Sequence, residues 1–272
     1  MAKLWYLDRT LDLNTDYRLD KRIAFIVRKV GTNVSDEITL YVDNKPCIPF
    51  HGDFAPINYT DENMLGMLDL GDFYFVIPPD TPFKWSSGSS GKVRILGELW
   101  MLEPNESLPS EYNARLKEQM WRGISYKKNS VSTSGTTWSA DEDIVLITLE
   151  PGVLEKFVLD DIIMIKFSNA NIDFGQIGVY FELDDVPLEY IYEQGAKFGI
   201  DVKAFPYPPN QTNGWYPFTL KNTPFTLTYG HKLKIIARNV SGSDISSADG
   251  TNPITIDILV KMKYEKQPYA GT

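Results

Sequence analysis

The feature that most constrains this 272-residue chain is a pattern that returns in its second half. Tyr17-Arg-Leu-Asp20 lines up with Phe157-Val-Leu-Asp160, 140 positions later, and Ile23, Phe25 and Val27 then fall on Ile163, Ile165 and Phe167. One residue of slippage aligns Leu40, Val42, Asp43 and Pro46 with Phe181, Leu183, Asp184 and Pro187. Phe73-Tyr74 next matches Trp215-Tyr216, and Asp80-Thr-Pro-Phe83 matches Asn222-Thr-Pro-Phe225 at an offset of 142. So small a drift predicts one folded unit present twice, by internal duplication. The second half adds the run Lys232–Arg238 and the loop Asn239–Pro253, where the first has only the turn Ser86–Gly91.

The repeated unit reads as β-structure. Ile23–Arg28, Glu37–Val42, Phe73–Ile77 and Lys92–Leu96 are short β-branched or aromatic runs bounded by turn residues. The second half continues with Asp143–Leu149, Ile162–Phe167, Ile177–Phe181, Phe225–Thr228, Lys232–Arg238 and Ile254–Tyr264. In the last run Ile254, Ile256, Ile258, Val260 and Met262 share one face, as in a half-buried antiparallel strand. One helix is expected within Ser107–Trp121, with a serine N-cap and Gly123 as its stop, and shorter helical turns at Asp61–Leu68 and Leu188–Phe198. Lys127–Thr137, polar and rich in Ser and Thr, reads as a linker or exposed loop.

Short strands, one brief helical insertion per half and many Pro/Gly turns suit two antiparallel sheets closed face to face. The fold expected is therefore all-β: two tandem jelly-roll-like β-sandwiches with few short helices. The boundaries are an N-terminal arm at 1–16, a first sandwich at 17–105, a helix and polar linker at 106–139, a second sandwich at 140–265 and a C-terminal tail at 266–272. The run Thr223-Pro-Phe-Thr-Leu-Thr-Tyr-Gly-His-Lys-Leu-Lys-Ile-Ile-Ala-Arg-Asn-Val-Ser-Gly242, followed by Ile254–Val260, resembles the jelly-roll structural proteins of bacteriophage and virus particles. The tandem arrangement resembles the double jelly-roll capsid or capsid-decorating type. The first half lacks the Gly-x-x-Leu-x-Ile-x-x-Arg-Asn segment.

The chemistry-bearing residues are few. His51 and His231 are the only histidines, and there is no Gly-x-Ser-x-Gly elbow, so a nucleophile triad has no sequence support. Cys47, the single cysteine, lies in Pro46-Cys-Ile-Pro49 and reads as a buried thiol. His231 follows Gly230 at a hairpin turn. Asp141-Glu-Asp143, Asp160-Asp161 and Asp184-Asp185 could offer oxygens to a hard cation, but solvated turn acids are the simpler reading. A paired-carboxylate glycosidase has no more than chance support among 36 acids. Ser86–Gly91 lacks the lysine and helix of a phosphate cradle. No catalytic, cofactor or metal residues are assigned, and no cofactor is expected. The aromatics Tyr207, Trp215, Tyr216 and Trp138 stand out as candidates for subunit or glycan contact.

With 27 Lys+Arg against 36 Asp+Glu, the net charge of −9 argues against direct binding of nucleic acid, which needs a basic stripe. No run approaches the ~18 apolar residues of a membrane span, and the start has no apolar signal core. The Asn-x-Ser/Thr triplets at Asn33, Asn58, Asn105, Asn210 and Asn239 therefore read as loop residues, in a chain made in the host cytoplasm. What the resemblance implies is a non-enzymatic virion structural protein, a major capsid or capsid-associated subunit. It would assemble with itself, with a trimer favoured, and with other virion proteins through sandwich edges, loops and terminal arms. The alternative is a carbohydrate-binding or receptor-binding module of a spike or adhesin.

Overall fold

The computed structural model describes residues 3–57, 66–159, 163–188, 199–205, 220 and 224–267. The chain divides into two compact units: Met1–Tyr126 with Lys263–Thr272, and Lys127–Met262.

Among its described residues up to Met101 the first unit has ten strands: β1 (Lys3–Asp12), β2 (Asp16–Arg18), β3 (Ile23–Thr32), β4 (Glu37–Val42), β5 (Lys45–Pro46), β6 (Phe50–His51), β7 (Leu68–Asp69), β8 (Phe75–Ile77), β9 (Pro82–Ser86) and β10 (Lys92–Met101). One sheet runs β1-β10-β3, with β7 and β8 both on the far side of β3. The other runs β2-β9-β4, with β5 and β6 both on β4. All these pairings are antiparallel. Strand alternation places the core between the sheets. In β4, Ile38, Leu40 and Val42 are buried while Thr39 and Tyr41 are half-buried, and they meet Val27, Val30, Ile77 and Ile95 of the other sheet around Trp85 and Phe50. The β4–β5 hairpin turns on Asp43 and Asn44, both left-handed (φ 51° and 60°), the two-residue turn that matches strand twist. Between Leu96 and Gly97 the β3–β10 register shifts by a bulge. A Cβ on Gly97 would stand 2.0 Å from the Ile26 carbonyl oxygen, so only glycine fits there.

The helix α1 (Ser110–Glu118) falls where the sequence predicts it. Its cap differs: Pro109 holds the N-cap position, Ser110 is already helical, and no side chain caps the first amides. Tyr112 and Arg115 are its buried residues.

The second unit contains most of the remaining strands: β11 (Arg122–Ser132), β12 (Thr137–Trp138), β13 (Asp143–Leu149), β14 (Glu155–Leu159), β15 (Ile163–Ser168), β16 (Ile177–Leu183), β17 (Val186–Pro187), β18 (Ile200–Asp201), β19 (Phe225–Thr228), β20 (Leu233–Asn239), β21 (Ile245–Ser246) and β22 (Thr255–Lys266). One sheet runs β11-β22-β14-β19, with β15 also on β22, and the other runs β13-β20-β16, with β17 and β18 on β16. A short β12–β21 ribbon stands apart. In β22 the expected face is the buried one, with Ile256, Ile258, Val260 and Met262 all within 1% of full burial.

Both units thus follow jelly-roll order. Counting β5 with β6, β7 with β8, β14 with β15 and β17 with β18 as single interrupted strands, and setting aside the β12–β21 ribbon, each unit has a sheet of first, eighth, third and sixth strands and a sheet of second, seventh, fourth and fifth. Register sharpens the correspondence and corrects the sequence alignment. Tyr17 faces Phe83 as Leu149 faces Leu233, and Phe25 faces Ile77 as Phe157 faces Leu227. Val42 faces Phe83 as Leu183 faces Leu233, and Ile38 faces Phe50 as Val179 faces Ile200. The offset is therefore 132 before the fourth strand (17 to 149, 25 to 157), 141 along it (42 to 183) and 150 after it (50 to 200, 83 to 233). A near-constant offset holds only around the β4–β5 and β16–β17 hairpins. Tyr17 and Phe157 occupy different strand positions, and β20 is the counterpart of β9 rather than an added strand.

Two expected boundaries also change. Residues 3–12, read as an arm, form the edge strand β1. Residues 127–132, read as linker, belong to β11. Both are edge strands with one neighbouring strand each, so their exposed residues break the one-sided burial that marks a strand in sequence. The helical turns expected at 61–68 and 188–198 lie largely outside the described residues, although Leu68 opens β7 and Leu188 is buried.

Candidate functional site

The residues with catalytic chemistry are absorbed into structure. Cys47 is buried with its Sγ 3.9 Å from Met120 Sδ, and burial pushes its thiol up to about 12, so no thiolate forms near neutrality. His51 is buried at the start of a 3-10 turn, Gly52–Phe54, and its Nδ1 accepts the Asp53 amide at 3.4 Å. Asp53 stands 3.5 Å from that ring and accepts the Ser35 hydroxyl. The acid therefore lies between serine and imidazole, whereas proton relay needs the imidazole in the middle. The equivalent turn in the second unit, Val202–Ala204, is capped by Asp201 at the position of His51, which marks the role as structural.

The acidic turns are neutralised by named cations. Asp141 and Asp143 share Arg238. Asp184 lies 2.7 Å from His231 Nδ1 and accepts the Lys232 amide. Lys232 and Lys234 both hold Asp185, and bring its carboxyl down to about 2. These contacts close the β16–β17 turn against the start of β20. Asp160 and Asp161 lie outside the described residues. Among the described residues no group of three or more His, Cys, Asp or Glu converges as metal ligands would.

Two polar clusters that sequence reasoning missed fasten α1 to the first unit. Arg115, 4% exposed, donates to the carbonyl oxygens of Phe73, Tyr74 and Arg122 at 2.9 Å each. The fully buried Gln119 accepts the Val76 amide at 2.8 Å and donates to the Val76 carbonyl at 3.1 Å, so its side chain acts as a neighbouring strand for β8. Beside them Glu98 accepts from Arg28, Trp100 and Tyr112 at 2.9 Å each, and Arg28 lies 4.0 Å over the Tyr74 ring. Burial pushes the Glu98 carboxyl up, but these donors more than offset it and the net shift is downward. Their work is positional.

An outward-facing edge lies at β1. It bonds to β10 along one side and is the terminal strand of its sheet. Leu4, Trp5 and Tyr6 are 58%, 55% and 74% exposed, three successive large apolar side chains on an open edge. The strand in the same topological place in the second unit, β11, is guarded differently, since Lys127-Lys-Asn-Ser130 are exposed and polar. Of the aromatics singled out from sequence, Trp138 is fully buried, stacked on Phe167 with its Nε1 donating to the Glu142 carbonyl at 3.1 Å. It cannot touch a glycan or a neighbouring subunit, because its ring completes the core. Tyr207, Trp215 and Tyr216 lie outside the described residues.

No protein-family model matches the sequence, and no curated protein matches it. Among solved structures, the chain is similar to a turret protein of Sulfolobus turreted icosahedral virus. That likeness has 13% identity over 95% of this chain and 98% of the other, with a TM-score of 0.23. It is also similar to the PBCV-1 virus capsid, at 7% identity over 97% of this chain and 94% of the other, with a TM-score of 0.35. A cupin 2 conserved barrel domain protein from Leptotrichia buccalis shares 6% identity over 95% of this chain and 88% of the other, with a TM-score of 0.17.

Proposed function

We propose that this chain is a non-enzymatic structural subunit of a virus or phage particle, acting as capsid or decoration protein. The observation that carries the reading is a rigid jelly roll with an unguarded apolar edge, Leu4-Trp-Tyr6 on β1, in a chain that builds the same topology twice. Preformed sandwiches lose little ordering entropy on docking, so edge and loop contacts convert efficiently into assembly. The matched registers of the two units support descent from one duplicated unit. The resemblance of Thr223–Gly242 and Ile254–Val260 to particle jelly rolls supports the same function. A trimer is the oligomer we favour, because two similar sandwiches per chain give three copies a near-hexagonal outline.

The test is the assembly state of the full chain by light scattering and electron microscopy. Discrete oligomers, and incorporation into particles when the chain is produced with a virion's other proteins, support the proposal. A concentration-independent monomer that never enters particles overturns it.

A further inference from the structure

We infer that β1 is a homotypic docking edge: β1 of one copy pairs antiparallel with β1 of a second copy about a two-fold axis at Leu7. The inference rests on the assembly reading above and names a two-fold contact, separate from the three-fold one of the favoured trimer, with its partner and register. Among the described residues β1 pairs with no strand but β10, so alternate backbone N–H and C=O groups along ten residues point outward. The strand contains neither proline nor glycine, and its exposed start is Leu4-Trp-Tyr6 rather than the lysines that protect β11. An edge of this kind recruits another strand.

The sequence of β1 selects a second copy as that strand. For two sheets to join with their buried faces on one side, opposed residues must point the same way, so the two-fold axis falls on a residue. An axis at Asp8 sets two aspartates against each other, one at Tyr6 pairs only seven residues, Lys3–Arg9, and one at Arg9 opposes two arginines. The axis at Leu7 opposes Trp5 to Arg9, Tyr6 to Asp8 and Leu4 to Thr10, with no like charges facing among these pairs. It also spans nine residues, Lys3–Leu11, on each strand. Arg9 makes no ion pair among the described residues, and in this register its guanidinium meets the exposed Trp5 face twice per interface. Asp8, already held by Arg94 at 3.0 and 3.1 Å, offers its carboxylate to the Tyr6 hydroxyl of the second copy. Leu7, 1% exposed, keeps the seam aligned with the core.

The test uses the full chain in sedimentation velocity and a paired-cysteine assay. Leu4→Lys with Trp5→Lys alters only exposed side chains, sets a lysine against Arg9 of the second copy, and is expected to weaken dimerisation ~tenfold or more without changing the melting temperature. Leu4→Cys with Thr10→Cys should form a disulfide-linked dimer under mild oxidation, whereas Leu4→Cys with Asp12→Cys, matched to the axis at Asp8, should not. Cys47, the one native cysteine, is buried and contributes no background. Association that ignores the lysine variant, linkage only in the Asp12 pair, or a different polypeptide found on β1 would each sink the edge pairing. In those cases the chain still assembles and the structural role stands. A chain that stays monomeric and never joins particles removes both.

Discussion

The side chain of Gln119 substitutes for a strand, and its removal has a size that follows from the geometry. Its amide satisfies both backbone groups of Val76, at 2.8 and 3.1 Å, in a site with no solvent access to either residue. Gln119→Leu keeps the volume and strips both partners. Each orphaned buried group costs about 1–3 kcal/mol. The added apolar burial returns about 1 kcal/mol, which leaves a net loss of about 1–5 kcal/mol, centred at about 3. For a domain of this size the melting temperature of the first unit should fall by about 10 °C. A local reading separates this from general damage: the Val76 amide should lose its hydrogen-exchange protection before its neighbours in β3 do. Gln119→Glu adds a sign. Burial raises that carboxyl's pKa above its unfolded value, so the folded state takes up the proton first, and the protonated acid can again donate to the Val76 carbonyl. The variant should therefore be poorest at neutral pH and approach the wild type as pH falls through the raised pKa. A Gln119→Leu protein within about 0.5 kcal/mol of wild type, with Val76 exchange unchanged, would refute the reasoning.

Three further expectations are simpler. Gly97→Ala forces a Cβ to within 2.0 Å of the Ile26 carbonyl oxygen, and should cost about 1–3 kcal/mol in denaturant titration, whereas the same change at the open Gly135 should cost little. Asn239 is fully buried, donates to the carbonyls of Trp138, Ser139 and Ser243, and accepts from Ser241. Asn239→Asp loses the donors and should destabilise the second unit by ~3 kcal/mol in calorimetry. The Cys47 thiol, held up to about 12, should resist a maleimide at pH 8 in the native protein and react once denatured, as followed by mass spectrometry.

Strands that bury one face announced themselves. The alternation of β22, the hydrophobic runs of β3, β4, β16 and β20, and the acidic hairpin turns are local patterns, and each lies where sequence places it. The all-β jelly-roll architecture follows from those elements. The two edge strands did not show, because β1 and β11 each have only one neighbouring strand and so carry exposed residues on both faces. Leu4, Tyr6 and Lys127-Lys128 then read as arm and linker. The shared strand order was visible only where the two units have equal lengths between strands, at the hairpins around Asp43 and Asp184. Elsewhere nine-residue steps between strands displaced the true partners, and short apolar motifs matched across the wrong ones. Arg115, Gln119 and Glu98 are polar residues whose partners are backbone groups or side chains distant in sequence, so only the folded chain reveals what they do.

The first unit includes Lys263 onward, and the Lys266 amide donates to the Trp121 carbonyl at 2.8 Å. During synthesis on a ribosome the N-terminal half therefore waits, incomplete, until the whole second half has emerged. Cutting the gene between the halves would separate the leading fragment from Lys263–Lys266, which fold with it.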